Sequence, residues 1–196
     1  MMHQPVEQLI EGIQAQREPK GFPGRMLDAA FAPILISRIA ISEPLRDDLR
    51  RLRGQTLVDI GCGMSGAGYL IACRFGVRSY VGVDVFFENL RPDARPCLPG
   101  AVEDRIPVAW ERQDMLDFLT RLPERSVSVL ATGIDVCVIP SFKHLQRIGE
   151  QITRVLHDDG LAITYSSDIE PPRLSRISHG IRGFPTLDDI DLYHRG

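Results

Sequence analysis

Residues Thr56–Asp84 constrain this chain more than any other stretch. An apolar run, Thr56–Ile60, leads into a glycine-rich turn and then a helix-forming segment of small residues, Gly66–Phe75. A second apolar run, Tyr80–Asp84, follows and ends in a carboxylate. Strand, turn, helix and strand in this order make a unit whose strands lie parallel and whose crossover is right-handed. Gly61, Gly63 and Gly66 stand at G-x-G-x-x-G spacing. Glycines there let the backbone come close to a ligand, and the N–H groups of a helix N-terminus face it. Asp84, at the carboxyl end of the second strand, is placed to accept hydrogen bonds from two ribose hydroxyls. The plain alternative for Asp84 is a solvated strand-end carboxylate.

Two ligand classes use such a unit, dinucleotides and S-adenosylmethionine, and the glycine spacing alone does not separate them. Three other features do. Asp59 lies two residues before Gly61, where a dinucleotide site carries an apolar residue. Trp110–Leu116 places an acid–apolar pair, Asp114–Met115, just past a third strand. Ile152–Tyr165 reads as a helix end, a polar turn with Gly160, and an apolar strand. At these residues the chain resembles the class I S-adenosylmethionine-dependent methyltransferases, over roughly Leu52 to Ser167.

The resemblance implies a Rossmann-like, doubly wound, mostly parallel α/β sheet with helices on both faces. It implies S-adenosylmethionine as cofactor and a set of binding residues. Gly61 and Gly63 would pass under the methionine part, with Cys62 a small residue touching the ligand. Asp59 would orient the turn or the amino group, the alternative being a turn brace without ligand contact. Asp84 would bind the ribose and Val85 would lie against the adenine. Asp114 would accept from the adenine amino group, unless it is only the N-cap of the following helix. Met115 would offer its backbone N–H and an apolar wall, and Thr132 and Gly133 would line the methionine end. Asp135 is the catalytic candidate, to orient an amine or accept a proton, against a bland loop carboxylate. Tyr165, Ser167, Asp168 and Glu170 are candidates for the acceptor pocket. His144 and His157 read as solvated, and no metal-ligand cluster appears.

The chain itself reads as an alternation of elements. Strands are expected at Val108–Glu111, Val127–Thr132 and Leu161–Ser166, and helices at Leu116–Arg121 and Phe142–Leu156. Four prolines break Glu88–Pro107 where the family has a helix, so a loop is expected. Asp168–Gly196 is short for the further helix and antiparallel hairpin that end the family's sheet, although Asp189–Tyr193 reads as one strand. An incomplete C-terminal edge, or one covered by a second copy of the chain, is therefore expected.

Residues 1–53 form an N-terminal helical extension, a lid candidate, ahead of the Rossmann-like domain at 54–196. Val6–Gln16 and Gly24–Ile41 have helical apolar spacing. Ser42-Glu43-Pro44 signals a helix start, with an end near Leu52–Gly54.

At 196 residues with net charge −3, the chain has no global field for nucleic acid or membrane, and it is long enough for one domain. It lacks a signal-peptide pattern and any membrane-spanning apolar run. Its four cysteines, Cys62, Cys73, Cys97 and Cys137, form no C-x-x-C pair and read as reduced thiols in the cytoplasm. The expectation is a methyltransferase acting on a small molecule or a protein side chain. The rivals are a methyltransferase-like module without catalysis, and an NAD(P)-dependent oxidoreductase. Asp59, the Gly160 segment and the lack of a Tyr-x-x-x-Lys pair disfavour the oxidoreductase.

Overall fold

The computed structural model describes residues 35, 39–40, 42–63, 67–85, 106–134, 138–179 and 190–196. The helix expected at Val6–Gln16, most of that at Gly24–Ile41, nearly all of the proline-rich segment, Gly66 and Asp135 lie outside these residues.

Ser42 caps helix α1 (Glu43–Leu49): its hydroxyl accepts from the Leu45 N–H at 3.4 Å, and Pro44 sits in the first turn. A 3-10 turn, Arg50–Leu52, extends it, and Gly54 at φ +76° turns the chain into the sheet. The parallel strands are β1 (Thr56–Ile60), β2 (Ser79–Val83), β3 (Val108–Glu111), β4 (Ser128–Thr132) and β5 (Ala162–Tyr165). Helices α2 (Ala67–Phe75), α3 (Met115–Arg121) and α4 (Phe142–Val155) stand between them. β1 and β3 occupy the expected spans, and the other elements differ from expectation by a residue or two at their ends.

The C-terminal edge corrects one expectation. The sheet is complete: β6 (Ser175–His179) and β7 (Ile190–His194) close it in the order β3-β2-β1-β4-β5-β7-β6. β7 runs antiparallel between β5 and β6. The short tail suffices because residues 166–174 pass from β5 to β6 without a helix. β6 was invisible in the sequence because an outer strand need bury little. In Ser-Arg-Ile-Ser-His only Ile177 is apolar, and polar, charged residues are how sheet edges resist further pairing.

Both faces of the sheet are covered, which explains the near-continuous apolar strands. On one face Leu57, Leu130, Ile163 and Leu192 pack with α1, α2 and the helical residues Leu35 and Ile39. On the other, Val58, Val129, Ala131 and Tyr193 pack with α3 and α4. Helix α4 presents Leu145, Ile148, Ile152 and Val155 to that layer at helical spacing. Among the described residues no helix is long and apolar enough to cross a membrane.

A carboxylate is sealed between β1, β2 and α2. Asp59 is 3% exposed, and its Oδ2 accepts from the Tyr80 hydroxyl at 2.7 Å. The backbone of α2 crosses directly over it at Gly68, where a Cβ would stand 1.9 Å from Asp59 Oδ2. Glycine is what permits α2 to lie there. Gly68→Ala should therefore destabilise the protein by about 1–3 kcal/mol, the scale of overpacking a core. Urea denaturation checks this, and unchanged stability would mean that α2 sits farther from β1.

Candidate functional site

The carboxyl ends of β1 to β4 meet where the strand order reverses, with β2 and β3 to one side of β1 and β4 to the other. Ligands of open α/β sheets bind in that crevice. Gly61 and Gly63 form its floor, at φ +66° and +56°, a region that side-chain-bearing residues rarely enter. Gly61 and Cys62 donate N–H bonds to the Val83 carbonyl at 2.8 and 3.2 Å, which lays the turn against the end of β2. Asp84 completes that junction, its Oδ2 accepting from the Gly63 N–H at 2.9 Å. It is 5% exposed, so it is not a loosely solvated strand-end carboxylate. Val85, the next residue, is 39% exposed.

Past the end of β3, on the same side, Asp114 caps α3. Its Oδ1 accepts from the N–H groups of Leu116 at 2.8 Å and Asp117 at 3.2 Å. Its Oδ2 has no partner among the described residues. The cap is real, and it uses one of the two carboxylate oxygens. The Met115 methyl lies 3.7 Å, and Ile134 Cδ1 3.1 Å, from where a Gly61 Cβ would stand. These two side chains therefore pack against the glycine turn.

The β4 end is braced from β5. Gly133, at φ +69°, donates to the Tyr165 carbonyl at 2.9 Å. The Ile134 carbonyl accepts from the Ser167 hydroxyl and the Asp168 N–H, both at 2.9 Å. Thr132 and Gly133 are half-buried beside this brace.

Asp59 takes the bracing role that was its alternative, and Cys62 and Tyr165 turn into the interior. Asp59 faces Tyr80 and Gly68 inside the α2 layer, so it braces the junction of β1, β2 and α2. The Cys62 thiol turns inward, 2.9 Å from where a Gly82 Cβ would stand, beside the Trp110 ring. Tyr165 is 1% exposed and packs in the core, so it does not line an acceptor pocket. Asp168 and Glu170 are exposed after β5.

Two residues went unread in the sequence. Val138 and Phe142, in the connection from β4 into α4, are 46% and 76% exposed and put apolar surface beyond the end of β4. The apolar run VCVIPSF was the available signal, because loops are ordinarily polar. Among the described residues no group of three His, Cys, Asp or Glu is placed to hold a metal.

No protein-family model matches this sequence. No curated protein matches it either. Solved structures do. The PH0226 protein from Pyrococcus horikoshii is 15% identical with a TM-score of 0.55, over 82% of this chain and 90% of that one. The bifunctional kinase-methyltransferase WbdD is 16% identical with a TM-score of 0.54, over 97% of this chain and 46% of its own. A proposed sarcosine dimethylglycine methyltransferase from Galdieria sulphuraria is 15% identical with a TM-score of 0.44, over 74% of this chain and 48% of its own. The chain thus spans about half the length of the last two. With the sheet order above, the likeness establishes the fold: the chain has the Rossmann-like class I S-adenosylmethionine-dependent methyltransferase fold.

The double use of Asp114 is separable by mutation. Asp114→Ala should cost about 1 kcal/mol of stability, the usual loss for an N-cap, whereas Asn caps as well as Asp and should leave it unchanged. Thermal denaturation of both variants checks the cap. An equal loss in the two would mean that the charge, and not the capping geometry, holds α3.

Proposed function

We propose that this protein is an S-adenosylmethionine-dependent methyltransferase acting on a small molecule or a protein side chain, in the cytoplasm. The observation that carries this reading is the antiparallel β7 between β5 and β6, beyond a glycine turn held to Asp84. A dinucleotide-binding sheet has the order 3-2-1-4-5-6, without such an inserted strand.

The crevice residues fit the cofactor. Asp84 uses part of its accepting capacity on Gly63, and a carboxylate offers about four lone-pair sites, which suits a pair of ribose hydroxyls. Val85 and Met115 offer apolar surface for a flat base. Asp114 would accept from an exocyclic amino group through Oδ2, the oxygen its cap does not use, beside the Met115 backbone. Gly61, Gly63, Thr132 and Gly133 form the backbone-lined end that suits the amino-acid part.

When bound, the cofactor supplies an electrophilic methyl group on a sulfonium. The protein's own work is to position the acceptor and keep water away, and positioning alone is worth several powers of ten. Ile134 and Met115 pack apolar side chains against the turn, which would limit water beside it. Asp135, Asp168 and Glu170 are the candidates for orienting an acceptor amine or taking its proton. Val138 and Phe142 offer apolar surface for the rest of that acceptor.

Calorimetric titration with S-adenosylmethionine, S-adenosylhomocysteine and NAD tests the cofactor. The first two should bind and NAD should not; binding of NAD alone would sink the proposal. No binding of any would favour a module acting through partners. Asp84→Ala should weaken S-adenosylmethionine binding by about 1–3 kcal/mol, the scale of hydrogen bonds to a charged group. Asp114→Asn should weaken it while leaving stability unchanged, and unaltered affinity would remove Asp114 from the adenine assignment.

A further inference from the structure

A second charged surface lies at the amino ends of the strands, away from the crevice. Between Leu49 and Val83 the chain carries Arg50, Arg51, Arg53, Arg74 and Arg78 and no lysine. The one acid in that span, Asp59, is 3% exposed.

The fold gathers these arginines. Arg50 and Arg51 belong to the 3-10 turn before β1, Arg74 to the last turn of α2, and Arg78 directly precedes β2. The two turns are cross-linked: Gly54 N–H donates to the Gly76 carbonyl at 2.9 Å, and Arg78 N–H to that of Gln55 at 2.7 Å. Arg53 Cγ lies 3.8 Å from where a Gly76 Cβ would stand, so its stem lies over the second turn. Arg78 donates to Thr56 Oγ1 at 3.1 Å, and that hydroxyl is 2.9 Å from Ser79 Oγ. All five arginines are exposed.

Four of the five have no carboxylate partner among the described residues. Arg125, Arg176 and Arg195 are each within ion-pair distance of an aspartate, as is Arg50 with Asp47. Arg51, Arg53 and Arg74 have no such partner among the described residues, and Arg78 has only a hydroxyl. Helix C-termini account for part of the arrangement, but each carries only about half a charge.

We propose that this end of the sheet docks a short acidic segment of a partner protein. Guanidinium forks match carboxylates in paired hydrogen bonds, which a field of lysines would not do. Among the described residues the exposed large apolar ones are Val85, Val108, Val138 and Phe142, and of these Val108 alone borders this end. Among the described residues there is accordingly no exposed aromatic here for a nucleic-acid base to stack on. Farther along the same end, the exposed Asp158 and Asp159 stand before β5, which limits a polyanion to a short stretch. The surface is independent of the crevice, so it stands whether or not the cofactor reading does.

The test is fluorescence anisotropy of a labelled short peptide of alternating Glu and Asp against the full chain, at about 0.15 M salt, where exposed charges are well screened. The peptide should bind. The triple substitution Arg51→Glu, Arg53→Glu, Arg74→Glu should weaken it by about tenfold or more. The same three positions changed to Lys keep charge and fold but lose the forks, and should weaken it by a few-fold. The control Lys143→Glu, Arg147→Glu, Arg173→Glu makes an equal charge change elsewhere and should leave binding within about twofold. No binding by the full chain, or an equal loss in the control, would overturn the proposal. Tighter binding of a short single-stranded RNA or duplex DNA than of the peptide would overturn it in favour of nucleic acid.

Discussion

A carboxylate sealed between two strands and a helix determines where the rest of the site can stand. Asp59 sits on β1, takes its hydrogen bond from Tyr80 on β2, and is roofed by the backbone of α2 at Gly68. A buried charge is costly unless it is hydrogen-bonded. The arrangement therefore selects one depth and one register for α2 over the sheet. The glycine turn joins β1 to that helix, so its course is set from below. Tyr80 in turn packs edge-on against Tyr69 of α2 and Trp110 of β3, with ring centroids 5.6 and 5.4 Å apart. One polar contact and two aromatic ones thus tie together the three strands that form one lip of the crevice.

Asp84 holds the turn from above as Asp59 holds it from below. Its bond to Gly63 turns a flexible, glycine-rich segment into a fixed floor. Preorganisation of this kind lowers the ordering cost that binding must otherwise meet. The β4 side gains the same rigidity from Ser167 and Asp168, which hold Ile134 over Gly61. Both lips are therefore set by hydrogen bonds from neighbouring strands.

Much of this was legible in the sequence, for a physical reason. β1 and β3 lie where their apolar runs place them, and Ser42 and Pro44 mark a helix start through local chemistry alone. Periodicity and capping act over a few residues, so they can be read along the chain. Side-chain direction cannot. Whether Asp59 faces a ligand or Tyr80 depends on a residue 21 positions away. The inward turn of Cys62 depends likewise on the space above Gly82. Asp114 shows both cases at once, a cap readable from its neighbours and a spare oxygen visible only in the fold. β6 escaped because its stability comes from β7 and not from its own apolar content.

The central claim is that the glycine turn, the β2 end and the start of α3 form one cofactor seat. Two-dimensional NMR of the 15N-labelled protein, titrated with S-adenosylhomocysteine, tests it most directly. The account predicts that the amide signals of Gly61, Cys62, Gly63, Asp84, Val85 and Met115 shift together and saturate at one affinity, while those of β6 and α1 stay in place. Shifts confined to other regions, or none at saturating ligand, would contradict it.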